Sequence, residues 1–149
     1  MVSGDPIRVF VTHAWQQGDD YLRVFEYLES ARNFRYLNCS VPDRQVSGHE
    51  DMREELRRQI NAAEVVVALA SMAARERDLL YFQINYAKAS DKPVVMLPGF
   101  GREILLPNEF SGLLDEQAKW DERAIVDALR RQARHQESTR WDTIEFKLD

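Results

Sequence analysis

The sequence predicts an α/β fold in which a parallel sheet is covered by helices on both faces. Three observations carry this. Ile7 to Thr12, Glu64 to Ala70 and Pro93 to Leu97 are short, β-branched, largely apolar runs, as expected of strands buried on both sides. Between them lie charged stretches with apolar residues at helical spacing. The two signals alternate along the chain, which implies crossover helices rather than hairpins.

Taken in order, Ile7 to Thr12 (IRVFVT) is the first strand. Asp19 to Ala31 is a helix carrying Tyr21, Leu22, Phe25, Leu28 and Glu29 at helical spacing, with Asp19 or Asp20 able to cap it. Phe34 to Val41 alternates and reads as the second strand. Pro42 to Gly48 is a polar loop punctuated by Pro and Gly. Glu50 to Ala62 is a charged helix with Met52, Leu56 and Ile60 on one stripe. Glu64 to Ala70 (EVVVALA) is the clearest buried strand, Ala73 to Ala89 the next helix and Pro93 to Leu97 the fourth strand. Pro98 to Pro107 is a loop, Leu113 to Trp120 holds a short edge strand, and Asp121 to His135 is a last helix with Ile125, Val126 and Leu129 facing inward. The tail, Gln136 to Asp149, carries Trp141, Ile144 and Phe146 as apolar anchors. Right-handed crossovers give a flavodoxin-like sandwich of three layers, with about five parallel strands in the order 2-1-3-4-5.

The totals fit one domain over residues 1–149, with its core at about 7–133 and a tail at 136–149. At 44% hydrophobic and 30% charged residues the composition is that of a globular protein. Cys39 is the one cysteine, which excludes an internal disulfide and a cysteine-based zinc site and points to a reducing, cytoplasmic setting. The amino terminus lacks the pattern of a signal peptide, and the longest apolar run, Val65 to Ala70, is too short to span a bilayer. A net charge of −5 argues against nucleic acid or an acidic membrane as partner.

In such a sheet a ligand binds outside the carboxyl ends of the strands, at the switch point between the first and third. The loops there exclude several chemistries. No phosphate-binding G-x-x-x-x-G-K-[ST] is present, no G-x-G-x-x-G follows the first strand, and no G-x-S-x-G appears. Thr12 and His13 after strand one, with Ala70 and Ser71 after strand three, lack the acidic groups of a phosphoacceptor. His13, His49 and His135 show no metal-ligand spacing. What remains is a polar and aromatic cluster of His13, Ala14 and Trp15 after strand one, Asn38 and Ser40 on strand two, and Ser71 and Met72 after strand three. Trp15 is able to stack on a base or nicotinamide, or to serve as core. Asn38 and Ser40, two apart and so on one face of a strand, are able to bind ribose or phosphate, or simply to satisfy backbone groups in the turn.

These residues, as VFVTHAW, DDYLRVFEYLE and FRYLNCSVP, resemble the TIR-like domains of bacterial anti-phage defence, the kind that form the signalling subunit of Thoeris systems. LRRQINAAEVVVALASM, YFQINYAKASDKPVVMLPGFG and KWDERAIVDALRRQ extend the resemblance over about residues 7–133. It implies an enzyme that takes NAD+ as substrate, without a further cofactor, and breaks the bond between nicotinamide and ribose. The ADP-ribose-derived product is a diffusible signal that activates a separate effector, a phage component is the trigger, and homo-oligomers are possible partners. The resemblance also implies a catalytic glutamate on the helix after strand three, in a setting such as Y-E-I-x-Y-A. In this sequence that position is Gln83, within Tyr81-Phe82-Gln83-Ile84-Asn85-Tyr86-Ala87.

The departure matters chemically. Nicotinamide leaves as a neutral group, so no general acid is needed, and the transition state resembles an oxocarbenium ion. A carboxylate stabilises that growing charge and holds the ribose hydroxyls, whereas an amide keeps the shape and hydrogen bonding but not the charge. The expectation is a chain that binds NAD+ and turns it over very slowly. Gln83 is then either a conservative, engineered replacement that traps intact ligand or the native residue of a non-catalytic binder. Glu76 precedes it by seven residues, about 10.5 Å along a helix axis, which suits a charge near the helix start better than a substitute acid. Two other readings stand beside this one: a TIR-like binding or assembly module, and a nucleoside deoxyribosyltransferase-like enzyme that also sets a glutamate against a glycosidic bond. His13, Asn38, Ser40 and the loop Pro98 to Arg102 are the residues placed to shape the product.

Overall fold

The computed structural model describes residues 5–44, 46–101 and 106–135. Its strands are β1 (Ile7–Val11), β2 (Tyr36–Asn38), β3 (Val65–Leu69), β4 (Val94–Leu97) and β5 (Glu116–Gln117). They form one sheet in the order β2-β1-β3-β4-β5 with every pairing parallel, the predicted topology. The helices are α1 (Asp19–Ser30), α2 (His49–Ala62), α3 (Arg77–Ala89) and α4 (Glu122–Arg134).

The period of two in the central strand decides the layers. Val65, Val67 and Leu69 pack with Val24 and Leu28 of α1 and with Ile125 and Leu129 of α4. Val66 and Ala68 pack on the other face with Leu56 and Ile60 of α2 and with Leu80 and Ile84 of α3. All five residues of β3 are buried, as are all four of β4, which is why both strands read as unbroken apolar runs.

Several boundaries differ from the sequence reading. β2 is three residues long rather than eight, so Ser40 lies beyond the strand. Tyr36 to Asn38 pair with β1 in the register Ile7–Tyr36 to Val9–Asn38, and a last bond from Cys39 N to Val9 O at 2.7 Å ends the ladder. The edge strand shrinks from Leu113–Trp120 to Glu116–Gln117. The helix expected from Ala73 begins at Arg77, because Ala70 to Ala74 form a tight 3-10 turn that carries the chain off the tip of β3. The Glu76 carbonyl then accepts from Leu80 N at 2.9 Å. On α1 the buried stripe is Tyr21, Val24 and Leu28, while Leu22 is 44% exposed. Gly18, not an aspartate, caps that helix, with no side-chain hydrogen bond at the cap. Gly48 caps α2 at φ 89°, a left-handed angle that a side chain disfavours. The expected anchors Trp141, Ile144 and Phe146 lie outside the described residues.

One ionic fastener closes the end of the sheet opposite the strand tips. Arg134 grips both oxygens of Glu64 at 2.8 Å and donates to the Pro6 carbonyl at 3.0 Å. Glu64 also accepts from Arg8 N at 2.9 Å. The Arg134 hydrogen bonds, opposed by burial, hold the Glu64 carboxyl below its usual range. A depressed folded-state pKa contributes stability above the unfolded value and loses it as pH falls through the folded one. Replacing Arg134→Met is therefore expected to cost about 1–3 kcal/mol at neutral pH. Urea melts should show the gap to the unsubstituted chain closing as pH drops below about 4.

Candidate functional site

The tips of β1, β2 and β3 carry the candidate residues, and two buried glutamines hold the loops that follow the first two strands. His13 follows β1 directly and is 2% exposed. Gln83, on the inner face of α3, is wholly buried. Its amide spans the His13 peptide: Oε1 accepts from His13 N at 3.1 Å, and Nε2 donates to His13 O at 2.9 Å. The second amide hydrogen reaches the Leu79 carbonyl at 3.2 Å. A helix side chain thus completes the backbone hydrogen bonding of a loop 70 residues away in sequence, where the sheet ladder has ended.

Gln59 on α2 makes the matching arrangement with the loop after β2. Its Oε1 accepts from Val41 N at 2.9 Å, and its Nε2 donates to Val41 O at 3.3 Å. The same Oε1 lies 3.0 Å from His13 Nε2, and Nε2 donates to Glu55 Oε2 at 3.0 Å. Glu55 is only 6% exposed. Burial works against its charge, but bonds from Gln59 and Arg58 and the nearby Arg58 and Arg44 cations outweigh that and leave its carboxyl below the usual range.

The His13 ring is constrained from two sides. Nδ1 accepts from Trp15 N at 3.2 Å, so Nε2 carries the proton that Gln59 Oε1 receives. Burial lowers the ring's pKa, with the Gln59 bond opposing, which favours the neutral imidazole. Trp15 packs edge-on against it, with ring centroids 4.8 Å apart. Trp15 itself sits at φ 64°, an uncommon angle for a bulky residue. Among the described residues, Trp15 Nε1 is the single buried side-chain nitrogen or oxygen without a hydrogen-bond partner.

Asn38 and Ser40 belong to a different arrangement from the strand face expected of them. Asn38 is exposed and Ser40 buried. Ser40 N donates to Asn38 Oδ1 at 2.9 Å, and Ser40 Oγ donates to the same oxygen. Asn38 Nδ2 donates to Tyr21 Oη at 3.2 Å, and Tyr21 Oη lies 3.0 Å from Ser40 Oγ, closing a three-residue circuit. The pair does satisfy backbone in the turn. Tyr21 also sets its ring 6.4 Å from His13, linking the circuit to the first loop.

The site therefore brings His13 into direct contact with both Trp15 and Gln83 and sets Asn38 and Ser40 beside it through Tyr21. Ala14 is half-buried between His13 and Trp15. Ser71 and Met72 are half-buried in the 3-10 turn at the tip of β3, with Met72 packed against both cores. Glu76 stands exposed at the start of α3. Beyond β4, the Arg23 guanidinium covers the Phe100 ring at 3.8 Å, and Trp120 Nε1 donates to Pro98 O at 2.7 Å, drawing that loop against α1. Arg102 lies outside the described residues. Sequence reasoning missed Gln59, Glu55 and Tyr21. A signal existed for the first two: residues 55, 56, 59 and 60 are all buried, so two polar groups share the inner face of α2 with Leu56 and Ile60.

The family described as Thoeris protein ThsB, TIR-like domain, matches residues 10–99, a span that takes in His13, Ala14, Trp15, Asn38, Ser40, Ser71, Met72 and Gln83. Among solved structures, the crystal structure of a 3-dehydroquinate dehydratase-like protein from Bifidobacterium longum is similar, with 14% identity and a TM-score of 0.45, over 89% of this chain and 96% of that one. No curated protein matches the chain.

The Gln83 geometry predicts the effect of a carboxylate there. A glutamate side chain would accept from His13 N but turn its other oxygen toward the His13 and Leu79 carbonyls, which Gln83 Nε2 now reaches at 2.9 and 3.2 Å. Burial and those carbonyls would raise its folded-state pKa above the unfolded value, so stability is fullest at low pH and lost as pH rises. Gln83→Glu is expected to destabilise by about 1–3 kcal/mol at neutral pH, with the deficit shrinking toward pH 4. Thermal melts at several pH values check this, and a deficit constant with pH would refute it.

Proposed function

The chain belongs to the Thoeris ThsB TIR-like domain family, a module of anti-phage defence, and from that premise we propose that it binds NAD+ at the tips of β1, β2 and β3 and cleaves it very slowly if at all. The observation that carries the reading is the side chain at position 83. It occupies the setting of the family's glutamate, points inward to the switch point and carries an amide already engaged by the His13 peptide. Trp15 supports the ligand half of the reading: a strained, half-buried aromatic with an unpartnered indole N–H suits a stacking platform that a nucleotide would complete.

In this reading the nicotinamide ribose lies beside position 83, with exposed Asn38 at its rim, while His13 and Ser40, whose polar groups are engaged within the protein, hold Trp15 and the loop after β2 in place. Cleavage would leave positive charge on the ribose with no carboxylate at 83 to meet it. An active relative would release nicotinamide and an ADP-ribose-derived signal for a separate effector. The fit of an amide to a peptide N–H and C=O favours a native, non-catalytic residue at 83 over a replacement made to trap ligand.

Calorimetry with NAD+ is the direct test. Saturable binding by the unsubstituted chain is expected, weakened about tenfold or more in Trp15→Ala by the loss of stacking. Gln83→Glu, assayed below its melting range with and without lysate of phage-infected cells, is expected to raise nicotinamide release about a hundredfold or more. Absence of NAD+ binding, with no nicotinamide released by either form, would sink the proposal. Release of free base from deoxynucleosides with NAD+ untouched would move the chain to glycosyl-transfer chemistry.

A further inference from the structure

Gln59 uses its whole hydrogen-bonding capacity. Two donors reach Oε1, from Val41 N and His13 Nε2, and the two amide hydrogens go to Val41 O and Glu55 Oε2. An amide so saturated cannot be turned around without breaking four bonds. Glu55 fixes which end is nitrogen, so Oε1 must face His13, and the ring must present its proton at Nε2. That leaves Nδ1 as the acceptor for Trp15 N, the bond that ties Trp15 down at its left-handed angle.

We propose that Gln59 is a positioning residue for the nucleotide site: it fixes the His13 tautomer and joins the loop after β1 to the loop after β2. The inference rests on the NAD+ reading for what is positioned, but the ring geometry it predicts does not. From Glu55 to Trp15 the order runs carboxylate, amide, imidazole, backbone N–H, each group setting the orientation of the next. Gln83 holds the His13 backbone and Gln59 holds its ring, so the two divide one residue between them. Around the ring stand Phe10 from β1, Trp15, Tyr21 from α1 and Gln59 from α2, with Glu55 one bond further along α2.

Long-range nitrogen–proton NMR of the His13 ring in the full chain reads the tautomer directly. At neutral pH the unsubstituted protein should show a neutral ring with its proton on Nε2, and a ring protonated on Nδ1 would overturn the proposal without any variant. Gln59→Leu removes the acceptor and should shift the ring toward a mixture of tautomers. Gln59→Glu sets a carboxylate against Nε2 and should favour the doubly protonated ring, taking the acceptor away from Trp15 N. Both variants should bind NAD+ about tenfold more weakly by calorimetry. Unchanged ring signals in both folded variants overturn the tautomer lock, and changed signals with unchanged affinity overturn the positioning role. An unsubstituted chain that binds no NAD+ overturns the functional reading instead, while the ring signals still decide the lock.

Discussion

A peptide group beyond the end of a sheet has a donor and an acceptor that the ladder no longer satisfies, and a primary amide is the side-chain group able to answer both. The strand tips of this protein are organised around that constraint. β1 ends at Val11, and Thr12 makes the last ladder bond, to Val67 O at 2.9 Å. His13 is the next residue, buried and without a neighbouring strand to complete its peptide. Gln83 takes over there, and Gln59 does the same for Val41 beyond the even shorter β2. With the backbone fixed, the ring of His13 and the indole of Trp15 have defined places. With it loose, the site would have no shape.

The same constraint ties fold to function. A charged side chain at position 83 would serve the proposed cleavage better and the His13 peptide worse. The two demands compete for one buried position, as catalytic groups often compete with the stability of their surroundings. In this chain the structural demand is the one met. The site keeps its His13–Trp15 pair and its polar circuit, while the side chain at position 83 is neutral.

The sheet was legible in the sequence because burial leaves a periodic trace. β3 is apolar at every position since both of its faces are covered, and α4 places Ile125, Val126 and Leu129 on one stripe since one face meets the sheet. Strand ends were less legible. Residues 34–41 alternate as a strand does, yet the register on β1 stops at Asn38, and the Asn38–Ser40–Tyr21 circuit takes the chain elsewhere. The position of Gln83 emerged from the residues flanking it, but its bonding did not. Nor did that of Gln59, whose partner His13 lies 46 residues away. Periodicity reports which face of a helix is inside and is silent about which backbone atom waits there. A glutamine beside Leu56 and Ile60 on the inner face of α2 was the available clue.

The fasteners at the two ends of the sheet differ in kind. The end near Glu64 is closed by opposite charges, whose attraction weakens in acid and in concentrated salt. The loops carrying His13 and Val41 are held by carboxamides, which neither titrate nor attract counterions. Concentrated salt should therefore loosen the molecule at its ionic base first, while the carboxamide bonds to the His13 and Val41 peptides persist.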